Sequence, residues 1–220
     1  MTITVKNVVK KIKGNLVADQ VNLTLHSGTV YGLCGYNGCG KTMLMRLIAG
    51  LIIPTEGEIQ FDEKVLGKDI SFPPSMGILI ESPAFLGGMS GFENLKLLAS
   101  IQGKITDETV RKAIARVGLD PKDKKKYRKY SLGMKQRLGI AAAIMESPEL
   151  VILDEPTNAL DSDGVALTKK LIAEERERGA LVIMTCHDHI TLEGVCDTIY
   201  TIEHGRITDE KHMDAEGTAE

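Results

Sequence analysis

The chain has 220 residues, of which 43% are hydrophobic and 26% charged, and a formal net charge of −3. This length and composition are typical of one globular domain, and the slightly acidic balance argues against a nucleic-acid partner, since such partners are normally met by a basic surface. No apolar run approaches the roughly 18 residues that a membrane-spanning helix needs. The four cysteines lack metal-ligand spacing, so we expect reduced thiols in a cytoplasmic protein.

Several early segments alternate apolar and polar residues, as half-buried antiparallel strands do. They cover about 2–9, 20–26 and 57–61. Three other runs are almost continuously apolar, namely TVYGLCG at 29–35, LVILDEP at 150–156 and ALVIMTCH at 180–187. Strands buried on both faces of a parallel sheet have this pattern. We therefore predict an α/β fold with an antiparallel β edge layer beside a parallel core.

The middle of the chain, from about 91 to 146, has helical patterns and little strand pattern. We predict a helical subdomain at about 87–146, inserted into a core formed by about 1–86 and 147–205. Together these parts form a single domain over 1–220. Residues 206–220 are polar and lack a core pattern, which predicts a frayed polar tail.

The stretch GYNGCGKT follows a buried run, precedes a helical pattern and matches G-x-x-x-x-G-K-[ST] in full. Glycines let successive backbone N–H groups point at phosphate oxygens, and the helix N-terminus adds partial positive charge. We expect Lys41 to pair with the β- and γ-phosphates, the Thr42 hydroxyl to bind Mg²⁺, and the Cys39 side chain to be dispensable. The predicted nucleotide-binding loop is formed by Gly35, Tyr36, Asn37, Gly38, Cys39, Gly40, Lys41 and Thr42.

Two adjacent acids, Asp154 and Glu155, end the second continuously apolar run. In open α/β sheets, ligands bind at the carboxyl ends of the strands. We therefore expect Asp154 to hold Mg²⁺ and Glu155 to polarise the water that attacks the γ-phosphorus. A kinase would also need an acceptor site, for which the sequence offers no candidate, so the pattern favours hydrolysis.

The segment YSLGMKQRLGIA, at 130–141, resembles the signature of ATP-binding-cassette (ABC) ATPases. The resemblance extends over nearly the whole chain: GYNGCGKT resembles the Walker A loop, LVILDEP the Walker B strand with catalytic Glu155, and NALD the D-loop, while TCHD places His187 at the switch histidine. It implies a P-loop NTPase (RecA-like) core. In the family, the signature binds the γ-phosphate of a nucleotide held by the opposite subunit. Here the signature residues are Ser131, Leu132, Gly133, Met134 and Lys135.

Three positions depart from the family pattern. Leu132 stands where the signature usually has glycine. Glu81, in LIESP, stands at the position of the Q-loop glutamine, and we expect it still to bind Mg²⁺ because a carboxylate is a hard oxygen ligand. Ile12 stands where an aromatic side chain usually stacks on adenine. An aliphatic side chain loses that stacking, roughly 1 kcal/mol, so we expect modest base selectivity.

The resemblance also implies partners. GILIESPAF, ENL and YSLGMKQRL look most like ATPase subunits of bacitracin- and lantibiotic-type peptide exporters. Such a subunit binds ATP with Mg²⁺, pairs with a second ABC ATPase subunit, and powers export through transmembrane permease subunits at the inner face of the cell membrane. Phe85 and Phe92 lie where the family receives a helix of the membrane subunit, although local packing explains them equally well.

Two other functions stay open at this point. The chain could be a soluble ABC-type ATPase acting on DNA or the ribosome. Such proteins typically carry long coiled coils or two cassettes, whereas this sequence has one phosphate loop and no sustained heptads. It could also be an ATP-binding regulatory module without turnover, and Glu155 argues against that.

Overall fold

The computed structural model describes residues 1–186 and 192–213. Four strands form an antiparallel sheet in this part of the chain. They are β1 (Thr2–Ile12), β2 (Asn15–His26), β4 (Glu56–Phe61) and β5 (Lys64–Val65). Their order is β2-β1-β4-β5. The predicted antiparallel edge layer lies in the first three of these strands, so that prediction is confirmed.

The second sheet contains six strands within the described ranges. They are β3 (Val30–Cys34), β6 (Met76–Leu79), β7 (Leu150–Leu153), β8 (Leu181–Thr185), β9 (Thr198–Glu203) and β10 (Arg206–His212). Their order is β10-β9-β3-β8-β7-β6, and all neighbours are parallel except β10, which is antiparallel to β9. The carboxyl ends of β3, β7 and β8 therefore meet at one edge of the sheet, where open α/β sheets bind ligands.

Five α-helices lie wholly within the described ranges, besides a short 3-10 helix at Tyr127–Lys129. They are α1 (Lys41–Ile48), α2 (Gly91–Gln102), α3 (Asp107–Arg116), α4 (Leu132–Ile144) and α5 (Ser162–Glu177). The first follows β3, the next three lie between β6 and β7, and α5 connects β7 to β8. The α/β fold is confirmed, whereas the subdomain limits at about 87 and 146 stay a prediction. None of the described helices combines the length and apolar character needed to cross a membrane.

The continuously apolar strands are explained by two hydrophobic clusters on opposite faces of the second sheet. In β7, Val151 and Leu153 belong to the cluster shared with α2, α3 and α4, while Leu150 and Ile152 belong to the cluster shared with the antiparallel sheet. Side chains alternate between faces along a strand, so a strand covered on both faces needs apolar residues at every position. All four are at most 1% exposed.

The predicted polar tail is wrong for its first residues, because Arg206–His212 forms strand β10. This strand pairs with β9 through its backbone at the edge of the sheet. Most of its side chains are exposed, so it carries no apolar pattern that a sequence could reveal. Residues 214–220 of the predicted tail lie outside the described ranges.

Gly77 is the point at which β6 lies directly against α4. A Cβ built at this position would overlap the carbonyl oxygen of Ala143 and its carbon. We predict that Gly77→Ala lowers the free energy of unfolding by about 3 kcal/mol, since the contact is with backbone and cannot yield by a rotamer change. The corresponding fall in melting temperature is about 6–12 °C, measurable by thermal denaturation.

Gly88→Ala is the matched control, because a Cβ there meets no atom within 4 Å. We expect its melting temperature to stay within about 2 °C of the wild type, as surface substitutions away from special features usually do. A Gly77→Ala protein that melts with the control would contradict the close approach of β6 and α4.

Candidate active site

The loop between β3 and α1 owes its path to glycines. Gly35, Gly38 and Gly40 have φ angles of 137°, 83° and 119°, which side chains rarely adopt. A Cβ at Gly35 would overlap the carbonyl oxygen of Ile202, and one at Gly40 would lie 2.7 Å from the carbonyl oxygen of Val17. The loop is therefore pressed against β9 and β2, which leaves no room for a side chain at Gly35 or Gly40.

Lys41 begins α1 and is only 6% exposed. Its Nζ donates hydrogen bonds to the carbonyl oxygens of Gly35, at 2.7 Å, and Tyr36, at 3.1 Å. The ammonium charge is thus held inside the curl of the loop. A glycine-rich loop at a helix N-terminus, with a lysine in its curl, is suited to binding phosphate.

Cys39 is 1% exposed and belongs to the cluster beneath the loop. That phosphate binding does not need this side chain stays a prediction, but Sγ has a packing role that the sequence did not predict. A Cβ built at Gly35 would lie only 2.7 Å from that sulfur. A larger residue at position 39 would therefore displace the loop.

Asp154 brings the ends of three elements together. It is 7% exposed, and its two carboxylate oxygens accept hydrogen bonds from Thr42 Oγ1 on α1, at 2.8 Å, and Thr185 Oγ1 on β8, at 2.7 Å. Carboxylate and hydroxyl oxygens are the hard donors that Mg²⁺ prefers, so Thr42 and Asp154 fit this ion. Three or more metal-ligating side chains are not clustered anywhere in the described residues, so phosphate and water oxygens would have to complete the shell.

Thr185 is a site residue that the sequence argument missed. The signal was available, since Thr185 is the polar residue that closes the apolar run of β8, beside the acids that close β7. Its hydroxyl donates to Asp154 and also accepts the backbone N–H of Glu155 at 2.8 Å. One buried threonine therefore fixes both adjacent acids.

Glu155 has a φ of 50°, which costs a non-glycine residue about 1 kcal/mol or more. Its backbone is held from two sides, by Thr185 and by Gln136 Nε2 of α4, which donates to its carbonyl oxygen at 2.9 Å. Its side chain accepts a hydrogen bond from Asn158 Nδ2. Gln136, also missed from the sequence, is 8% exposed. Strained backbone that is held by several partners is typical of functional positions.

The signature residues begin α4. Ser131 is the N-cap, and its Oγ accepts the backbone N–H of Met134 at 3.2 Å. Leu132, where glycine was expected, is 72% exposed, so its side chain displaces nothing in this chain. A Cβ at Gly133 would lie 2.8 Å from the carbonyl oxygen of Ala159, which places this turn against the segment at 158–161.

Arg137 joins α4 to the start of α5. Its Nη2 donates to Asp161 Oδ1 at 3.0 Å, and its Nη1 donates to the carbonyl oxygen of Val117 at 3.3 Å. The backbone N–H of Gly164, together with Arg137, holds the pKa of Asp161 below its usual value. The signature turn and this segment line a cavity of about 670 Å³.

Glu81 and Ile12, two of the positions that depart from the family pattern, both lie in the described part of the chain. Glu81 follows β6 with a φ of 59°, and its Oε1 contacts Arg46 Nη2 of α1 at 2.6 Å. Its carboxylate is thus bound to a cation, an ion pair that the sequence did not predict. Ile12 ends β1 and pairs with Asn15 in the hairpin that leads to Val17, beside the loop. His187 lies outside the described residues.

Comparisons with known sequences agree with this geometry. The family model described as ABC transporter matches residues 18–158. The uncharacterized ABC transporter ATP-binding protein YybJ of Bacillus subtilis is 47% identical, covering 95% of this chain and 96% of that protein. The bacitracin transport ATP-binding protein BcrA of Enterococcus faecalis is 37% identical, covering 96% of this chain and 69% of that protein. The lantibiotic transport ATP-binding protein SrtF of Streptococcus pyogenes is 34% identical, covering 96% of this chain and 90% of that protein.

Solved structures agree as well. The ATP-binding subunit of an ABC transporter has a TM-score of 0.88 at 24% identity, over 97% of this chain and 91% of that one. A dimeric bacterial ABC transporter cassette has a TM-score of 0.86 at 25% identity, covering 97% of this chain and 99% of that one. From the matched family model and the long relatives above 30% identity, the chain belongs to the ABC transporter family, as an ATP-binding subunit that hydrolyses ATP.

Proposed function

We propose that this subunit hydrolyses ATP between two cassettes and powers export of a peptide or hydrophobic compound through separate membrane subunits. The arrangement of the signature turn carries the two-cassette proposal. Its cavity is lined by 118–119, 131–134, 137 and 159–161, and by no residue of the phosphate loop at 35–42. A γ-phosphate on that loop would therefore meet the signature of another cassette, in a homodimer or a heterodimer.

The proposed chemistry depends on positioning and electrostatics. The loop amides and Lys41 hold the phosphates, and Thr42 and Asp154 hold Mg²⁺, which neutralises charge that develops on the phosphoryl oxygens. Glu155, fixed through its backbone, orients and activates the attacking water. By resemblance to the family, His187 contacts the γ-phosphate.

The proposed substrate class rests on the relatives named for bacitracin and lantibiotic transport. The chain would act at the inner face of the cell membrane, bound to permease subunits. No observation in the described residues favours the alternative of an ATPase acting on DNA or the ribosome.

An apolar groove of about 680 Å³ is the proposed docking surface for the membrane subunit. It runs between α1, the segment after β6, α2 and α4. Leu51, Leu98 and Ile101 line it and are 46%, 37% and 76% exposed. Apolar surface of this extent, left open in one chain, is typical of a site that another protein covers.

The two phenylalanines left open by the sequence differ in their surroundings. Phe85 lines the groove while its ring packs edge-on against Tyr127, with centroids 5.3 Å apart. Phe92 is covered by the Arg111 guanidinium, 3.8 Å from the ring centroid, and does not line the groove. We therefore assign docking to Phe85 and local packing to Phe92.

Glu155→Gln tests the chemistry and the two-cassette arrangement together. The amide keeps the side-chain shape but cannot take a proton from water, so we expect hydrolysis to fall by at least about 100-fold with ATP binding retained. ATP that is bound and not hydrolysed should hold two cassettes together. Phosphate release measures the first effect, and light scattering with and without ATP measures the second.

Glu149→Gln is the matched control, because Glu149 is exposed and precedes the same strand at its other end. It should hydrolyse ATP at the wild-type rate and show no ATP-dependent dimer. A Glu155→Gln protein that stays monomeric at saturating ATP would contradict a homodimeric site.

Glu81→Gln tests the proposed metal role of the carboxylate. Replacing a carboxylate by an amide removes a charged oxygen ligand, so we expect the Mg²⁺ concentration for half-maximal hydrolysis to rise about threefold. Arg46→Gln removes the cation and leaves the carboxylate, so the requirement should not rise. A Glu81→Gln protein with unchanged rate and unchanged Mg²⁺ dependence would assign Glu81 no role in metal binding.

Ile101→Glu tests the groove. Because this side chain is 76% exposed, we expect the melting temperature and the ATP affinity to stay at wild-type values. A charge in the groove has to be desolvated on docking, so the amount of chain that sediments with membranes should fall at least about tenfold. Thr208→Glu, on the opposite edge of the sheet, should sediment normally, and equal sedimentation of all three proteins would rule out docking here.

A further inference from the structure

The turn that joins β9 to β10 lies directly on the phosphate loop. Its central residues, His204 and Gly205, have φ angles of 50° and 80°. Two positive φ angles are the mark of a type I′ hairpin turn, whose twist matches that of the strands it joins. The turn is thus a well-defined element, although it falls where the sequence predicted the core to end.

Two contacts join the turn to the loop. Tyr36 Oη accepts the backbone N–H of His204 at 3.2 Å and lies 2.8 Å from His204 Nδ1, with the rings edge-on at 5.5 Å. Because Oη accepts the backbone proton, its own proton is donated to Nδ1 when the imidazole carries its proton on Nε2. The second contact is from the backbone N–H of Gly205 to the carbonyl oxygen of Cys39, at 2.8 Å.

The turn is itself fixed to the antiparallel sheet. The carbonyl oxygen of Gly205 accepts the backbone N–H of Asp19, in β2, at 2.9 Å. The side chain of Asp19 accepts a hydrogen bond from Arg206 Nε at 2.5 Å. Both sheets therefore hold the turn in place, and it can act as a rigid support.

Tyr36 connects this support to the lysine of the loop. While its side chain contacts His204, its carbonyl oxygen accepts hydrogen bonds from Lys41 Nζ, at 3.1 Å, and from the backbone N–H of Cys39, at 3.2 Å. A shift of Tyr36 would therefore move the ammonium group and the amides that face a phosphate.

We propose that Tyr36 and His204 are positioning residues, whose contact orders the phosphate loop before ATP binds. This inference rests on the proposed role of the loop in binding the phosphates. A pre-ordered loop loses less conformational entropy on binding, and the saving is equal for bound ATP and for the transition state. Loss of the contact should therefore raise KM and leave kcat nearly unchanged.

The experiment compares variants of the two residues by steady-state ATP hydrolysis. Tyr36→Phe removes one hydroxyl, and His204→Gly removes the imidazole while suiting the positive φ of the turn. Each should raise KM for ATP about three- to tenfold, the effect of one exposed hydrogen bond, with kcat within about twofold. The double variant should match Tyr36→Phe, because that variant already removes both hydrogen bonds between the Tyr36 hydroxyl and His204.

His204→Asn is the rescue variant. Asparagine tolerates the positive φ of this turn position, and its amide oxygen lies near the position that Nδ1 occupies in the wild type, so it can accept the Tyr36 hydrogen bond. Its KM should lie closer to the wild type than that of His204→Gly. Tyr200→Phe is the matched control, because its hydroxyl bonds Glu210 Oε1 within the same hairpin at 2.9 Å, away from the loop. It should leave KM unchanged.

A failure of the positioning role can be distinguished from a failure of the proposed phosphate-binding role of the loop. Lys41→Ala should abolish ATP binding, and retained binding would overturn the proposed site itself. If Lys41→Ala behaves as expected but Tyr36→Phe leaves KM unchanged, the positioning role is wrong. A KM increase in Tyr200→Phe equal to that in Tyr36→Phe, or additive effects in the double variant, would also overturn it.

Discussion

The carboxylate of Asp154 is the group on which the candidate site depends. A nearly buried carboxylate is costly unless it is hydrogen-bonded, and here both oxygens are satisfied, by Thr42 and Thr185. These donors come from α1 and β8, whereas the acid comes from β7. The hydrogen bonds form only when the strands are in register and α1 is in place, so the fold and the site are assembled by the same contacts.

Helix α4 relates the chain's own site to the signature turn, which in the proposed arrangement faces another cassette. Its first turn carries the signature residues, with Ser131 as the cap. One turn further, Gln136 holds the backbone of Glu155 and Arg137 holds Asp161. The exposed signature and Gln136, which holds the backbone of Glu155, therefore lie on one helix, within a few residues of each other. A displacement of α4 would change both at once, which suits a site completed by two subunits.

The sequence predicted those features that depend on local pattern. The strands β3, β7 and β8 were visible because burial on both faces demands apolar residues throughout, and the loop was visible because positive φ angles demand glycine. Strand β10 was missed because an edge strand can be stabilised by backbone pairing alone. The contacts of Gln136 and His204 were missed because each joins residues distant in the chain, whereas Thr185 was marked by its place at the end of an apolar strand and was overlooked. The pairing of Glu81 with Arg46 was missed because it too joins residues distant in the chain.

The predicted absence of an aromatic at Ile12 and the proposed support of the loop by the β9–β10 turn both concern the source of the free energy of nucleotide binding. An aliphatic side chain such as that of Ile12 can cover a base but adds no stacking. The phosphate end offers charge-assisted hydrogen bonds, which are roughly twice as strong as neutral ones. Affinity should therefore be concentrated at the phosphates. It then depends on how well the loop is ordered beforehand, since fixing each residue costs about 1–2 kcal/mol. If Ile12 covers the base as predicted, this cassette gains most from a loop that is held in place beforehand, through the contacts of Tyr36 and Cys39 with the turn.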